Sequence, residues 1–218
     1  MATININPTS NMNKSLQSSS GSQVNCSNGT NLTIPTTFGA GVRTGSSFNY
    51  TARELLIRYS LDGIPSGSTI TSAQHNIYIS TYHNTAGSFV YKMGSSNNLD
   101  YGSTISADAA HWQNIAELSS LQVFASQSST FWSSGTSRGF AITQAGDIAV
   151  IQHRLDNPGL YSTPNRYIDI VCYTQDIINT TYPVITDSES SFDGVGGILS
   201  ITYGLPVSTT TLMLGSFF

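Results

Sequence analysis

Only 9% of this 218-residue chain is charged, against roughly 25% in an average soluble domain, so solubility must come from Ser, Thr, Asn and Gln. The net charge is −4, and the eight Lys and Arg are scattered; no basic stripe offers the footprint that nucleic-acid binding needs. Apolar runs are far too short for a membrane-spanning helix, which leaves one β-sandwich or barrel of ordinary size as the expectation.

In chain order, residues 1–31 alternate briefly around Ile4 and Ile6. They then become so rich in Ser, Asn and Gln that little can be buried to offset the entropy of ordering. A polar arm, flexible or ordered by neighbouring chains, is expected there. Leu32–Ile34 reads as a short strand ended by Pro35, and Gly39, Gly41 and Gly45 punctuate a loop. Arg53–Leu61 is the first strong strand, closed by the turn Asp62–Gly67. Gln74–Thr81 follows, with Ile77 and Ile79 on one face and Tyr78 on the other, and Ser88–Met93 is another strand.

Two stretches break the β pattern. Ser106–Leu118 suits a short helix with Trp112, Ile115 and Ala116 inward. Thr143–Leu155 suits one better, with Thr143 as cap and Ile148, Ile151 and Leu155 at helical spacing; Gly146 weakens it without forbidding it. Residues 166–173 and 197–205 are closing strands. Strands separated by turn residues point to an all-β sandwich over 32–206 with one or two short helices. The tail 207–218 carries Leu212, Met213, Leu214, Phe217 and Phe218, apolar residues expected to dock on the core or on a neighbouring subunit.

The run Arg53 to Ala73 (RELLIRYSLDGIPSGSTITSA), followed by Ile77-Tyr78-Ile79, resembles the core of the DNRLRE family of jelly-roll modules. Phe140-Ala141-Ile142-Thr143 before a short helix, and Gly197-Ile198-Leu199-Ser200-Ile201-Thr202-Tyr203, resemble later landmarks of the same family. His75 and Asn76 depart from it, standing where more apolar residues are usual, and no Pro precedes the last strand. The resemblance implies a jelly-roll β-sandwich that binds rather than catalyses, of a kind appended to carbohydrate-active enzymes and similar to jelly rolls of phage and viral particles.

Residues able to carry chemistry do not assemble into a motif. His75, His83, His111 and His153 lack metal-ligand spacing, and no Gly-x-Ser-x-Gly elbow occurs. Cys172 lies mid-strand on the side of Ile168 and Ile170, and Cys26 stands far from it in sequence, so a disulfide and two buried thiols both remain open. Asp187, Glu189 and Asp193 form an acidic Gly/Ser-rich loop, with Ca²⁺ as a weaker reading. Trp112, Trp132 and Tyr82 could stack on sugar rings, although sandwich cores and subunit interfaces also consume aromatics. Arg53 and Arg58 are expected to pair with carboxylates or carbonyls.

The expectation is a non-enzymatic virion structural protein, such as a capsid-decoration, head-fibre or tail-associated component. Its partners would be other virion proteins and copies of itself, with no cofactor, no nucleic acid and no membrane. The opening MATININPTS has neither a basic nor an apolar leader region, which fits a virion assembled in a host cytoplasm. The alternative is a carbohydrate-binding or adhesin-type module, with glycans as partners.

Overall fold

The computed structural model describes residues 1–9, 14–21, 25, 29–35, 39–44, 50–84, 90–95, 107, 122–128, 136–142, 145–158, 166–174, 188–192 and 197–206. The strands are β1 (Ala2–Ile6), β2 (Lys14–Ser20), β3 (Gly39–Thr44), β4 (Tyr50–Ser60), β5 (Thr69–Asn84), β6 (Val90–Ser95), β7 (Gln122–Ser128), β8 (Thr136–Ile142), β9 (Tyr167–Thr174), β10 (Ser188–Phe192) and β11 (Ile198–Gly204). Helix α1 (Ala145–Asp156) is described among them. The protein is an all-β sandwich, as the sequence leads one to expect.

All the pairings are antiparallel. In one layer β1 pairs with β11, β11 with β5, and β5 with β8. In the other, β2 pairs with β4, β4 with β9, β9 with β6, and β6 with β7. β10 and β3 join the layers, because β10 pairs with the far half of β5 and with β3, which pairs with the start of β4. Most neighbours are distant in sequence, so backbone pairing, not local propensity, fixes the architecture.

The layers meet through side chains at every second position, as strand periodicity requires. Leu55, Ile57 and Tyr59 of β4, with Ile168 and Ile170 of β9, face Ile70, Ala73 and Ile77 of β5, Phe140 and Ile142 of β8, and Leu199, Ile201 and Tyr203 of β11. Burying each Leu, Ile or Phe among them stabilises the fold by about 1.5–3 kcal/mol. Ile77 is 2% exposed and Tyr78 42%, the alternation expected for this strand. Helix α1 adds Ile151 and Leu155 to the same core. Its Gln152 fastens it to the start of β5, accepting from the Ile70 amide at 2.8 Å and donating to the Ser68 carbonyl at 3.1 Å. Asp147 in its first turn and Arg154 in its last suit the helix dipole.

The polar segment 1–31 corrects the expectation of an arm, because it supplies two strands of the sandwich. β1 buries Ile6 beside β11, and β2 buries Leu16 and Ser18 beside β4. From β1 the chain crosses between layers: Pro8 bridges to Tyr59, and the Thr9 amide donates to the Arg58 carbonyl at 2.8 Å. Polar residues can form these strands because the partners satisfy their backbone groups and only alternate side chains need be apolar. Thr33 of the expected 32–34 strand forms one bridge, to Gln17. The expected helix 106–118 (apart from Ala107), the cap Thr143 and the tail 207–218 lie outside the described residues.

Candidate functional site

The outer face of the first layer is the best-defined exposed surface, and register builds it row by row. Thr3, Thr202 and Ser72 form one row across β1, β11 and β5. Asn5, Ser200, Gln74 and Ala141 form the next, and Ile198, Asn76 and Gly139 the third. Tyr78 stands beyond them, two residues along β5 from Asn76. None of these residues carries a charge.

Their polar groups bond mainly to one another. Ser200 Oγ donates to Asn5 Oδ1 at 2.7 Å, Thr3 and Thr202 hydroxyls meet at 3.1 Å, and Gln74 Nε2 donates to Asn76 Oδ1 at 2.8 Å. Gly139 leaves room for that amide pair, since a Cβ there would meet Gln74 Nε2 at 2.2 Å and Asn76 Oδ1 at 2.8 Å. Gly197, just before β11, has φ near +100°, and its missing Cβ would strike the Asn76 carbonyl at 2.3 Å. The outcome is an uncharged array of hydroxyls and amides with Ile198 and Tyr78, each 42% exposed, at its margin.

Several charged and acid–base groups are instead buried. Between the layers, the Tyr59 hydroxyl and His75 Nε2 are 2.5 Å apart, with their rings edge to face at 5.5 Å. This pair gives the physical reason for a histidine where the resemblance leads one to expect an apolar residue: Tyr59 supplies a polar partner inside the core. Burial pushes the Tyr59 hydroxyl well above its ordinary pKa.

On the outer side of the second layer, Arg58 and Asp169 are direct cross-strand neighbours. Arg58 Nε donates to Asp169 Oδ1 at 2.5 Å and Nη2 to Oδ2 at 2.6 Å, and the guanidinium carbon lies 4.9 Å from the Tyr167 ring centre. This is the bidentate geometry that guanidinium favours. Arg53 Nε donates to the Gln17 side-chain carbonyl at 2.6 Å, so both arginines find the kind of partner expected of them. Glu54 is fully buried, and among the described residues neither carboxyl oxygen has a hydrogen-bond partner. Burial alone pushes its pKa well above the usual carboxylate range, because taking the carboxyl out of water disfavours its charged form.

The remaining sequence candidates are dispersed. Trp112, Trp132, Asp187, Asp193, Leu212, Met213, Leu214, Phe217 and Phe218 lie outside the described residues. Tyr82 is on β5, its backbone opposite Ser190 of β10. Glu189, expected in a loop, is in strand β10, with its backbone between those of His83 and Gly41. Backbone pairing on both sides of β10 overrides the loop-like composition of that stretch. His75 is a core residue, and His153 is half-buried in α1. Among the described residues no group of three or more His, Cys, Asp or Glu could hold a metal ion, and no helix is long and apolar enough to cross a membrane.

Sequence reasoning passed over the outer face, although Ser72, Gln74 and Asn76, with Ser200 and Thr202, carried its signal as uncharged residues at alternate positions. Compared with known proteins, the chain matches no family model and no curated sequence. The likeness of residues 53–79 to DNRLRE modules therefore rests on those residues alone.

Proposed function

We propose that this chain is a non-enzymatic structural subunit of a multi-copy particle, a virion component such as a decoration, head-fibre or tail-associated protein. The observation that carries the reading is the uncharged outer face of the first layer. Copies packed at repeated contacts gain from surfaces that bring no like charges together, since like-charge juxtaposition is costly across an interface. A face whose side chains are already tied by their own hydrogen bonds also loses little side-chain entropy on docking. The acid–base groups described above sit in the interior, where Tyr59–His75 joins the layers and Arg58–Asp169 joins β4 to β9. The test is co-purification of the chain with particles from its source, followed by Gln74→Arg. The variant should fold normally and be lost from particles; its undiminished incorporation would contradict the role of this face.

A second reading, a module for neutral glycans, is favoured by Tyr78 exposed beside the Gln74–Asn76 amide pair, since amides and hydroxyls bond sugar hydroxyls and an aromatic ring packs on a pyranose. Retention of the isolated chain on a glycan array, abolished by Tyr78→Ala, would select it.

A further inference from the structure

The two N-terminal strands treat their outer edges differently. The outer edge of β2 is covered by the chain itself: Gln17 and Thr33 exchange amide–carbonyl bonds at 2.9 Å in both directions, and the Ser19 amide donates to the Thr30 carbonyl at 2.8 Å. Ser18 adds two more bonds to Thr30, through its hydroxyl, at 2.8 and 3.0 Å. β1 has nothing comparable. Among the described residues it pairs on one side only, with β11, in unbroken register from Ala2 to Ile6.

Exposed sheet edges are normally guarded by charge, proline, a bulge or a covering segment. The sequence of β1, ATINI, has no charge and no proline, its register has no bulge, and Thr3 and Asn5 are exposed. An uncovered, uncharged strand of this kind is a template for another strand.

We infer that the outer edge of β1 pairs antiparallel with β1 of a second copy of this chain, about a two-fold axis at Ile4. This rests on the multi-copy reading above and names the partner. A dyad at Ile4 sets Thr3 opposite Asn5 of the second copy, so hydroxyl meets amide on the outer face. It sets Ile4 opposite its own equivalent, and Ala2 opposite Ile6, on the side facing the core. Each pairing joins residues from the same face, as antiparallel register demands, and the uncharged outer faces merge into one surface. None of the residues set opposite one another carries a charge. An isologous contact of this kind closes with two copies.

The test is sedimentation equilibrium of the full chain, with hydrogen exchange resolved over residues 2–6. The wild-type chain, 23.3 kDa, should sediment as a dimer, with β1 amides that exchange slowly at high concentration and fast on dilution. The double variant Thr3→Lys, Asn5→Lys puts like charges opposite one another twice while changing only exposed side chains. It should keep the wild-type circular dichroism and dimerise at least about tenfold more weakly. Ile4→Val, which preserves the strand, should leave dimerisation intact. A wild-type chain that stays monomeric, or a dimer that resists the double variant, would overturn the inference. Particle incorporation of such a chain, still lost on Gln74→Arg, would leave the multi-copy reading standing and remove only the β1 contact. Loss of both would count against the two together.

Discussion

The outer faces of the two layers invert the usual distribution of charge. On the first, exposed positions carry Thr, Ser, Asn, Gln, Gly, Ala and two apolar side chains, without a charge. On the second, Glu54, Arg58 and Asp169 are buried at 0%, 3% and 3% exposure beside Leu16, Leu56 and Val171. A chain with so few ionisable residues has placed three of them where water does not reach. On the second layer the Arg58–Asp169 pair fixes the pairing of β4 with β9, while the exposed face of the first layer is neutral and suited to close contact.

Breaking the buried ion pair should have the largest effect. Arg58→Ala strands the Asp169 carboxylate and should cost about 3–5 kcal/mol, read as a lower urea midpoint; Arg58→Met with Asp169→Leu should recover much of it. A loss below about 1 kcal/mol would mean the pair behaves as an exposed one. Next is Gly197→Ala, which meets both a left-handed backbone and the Asn76 carbonyl and should cost about 1–3 kcal/mol, visible in the thermal midpoint.

Glu54 gives a pH signature. Its folded pKa is raised above the ordinary 4.5, so the folded chain holds a proton that the unfolded chain releases. This contribution to stability is fully present below about pH 4.5 and is lost as pH climbs toward the raised folded value, with a slope of at most about 1.4 kcal/mol per unit. Glu54→Gln should flatten that part of the curve of urea midpoint against pH. Parallel curves for variant and wild type would show that Glu54 does not titrate this way. The smallest effect on stability is expected for Gly139→Ala, because the Gln74 and Asn76 side-chain ends can swing aside at a cost of about 1 kcal/mol or less. It should nonetheless roughen the outer face, and particle incorporation should fall with little change in thermal midpoint.

Elements with their own periodicity were legible in the sequence. Arg53–Leu61 became β4, 166–173 became β9, 197–205 became β11, and Thr143–Leu155 became α1 with only its ends shifted. Each shows alternation or helical spacing within itself. The N-terminal strands did not, because β1 depends on β11 at the other end of the chain and β2 depends on β4. Composition there reports polarity, whereas the structure uses the backbone. Nor could alternation foretell that Asp169, on the side away from Ile168 and Ile170, is buried; its partner Arg58 stands 111 residues earlier. The candidate face was half visible: Asn76 drew notice only as a departure from a family pattern, and the neighbouring rows emerge only when β11 and β1 are laid beside β5.

Hydroxyl-radical footprinting of Tyr78 and Ile198, in the dilute chain and in its assembled form, tests most directly whether the uncharged face is the contact surface. Both side chains should react readily in the free chain and become protected in assembled particles. Particles in which Tyr78 and Ile198 stay fully reactive would contradict the account.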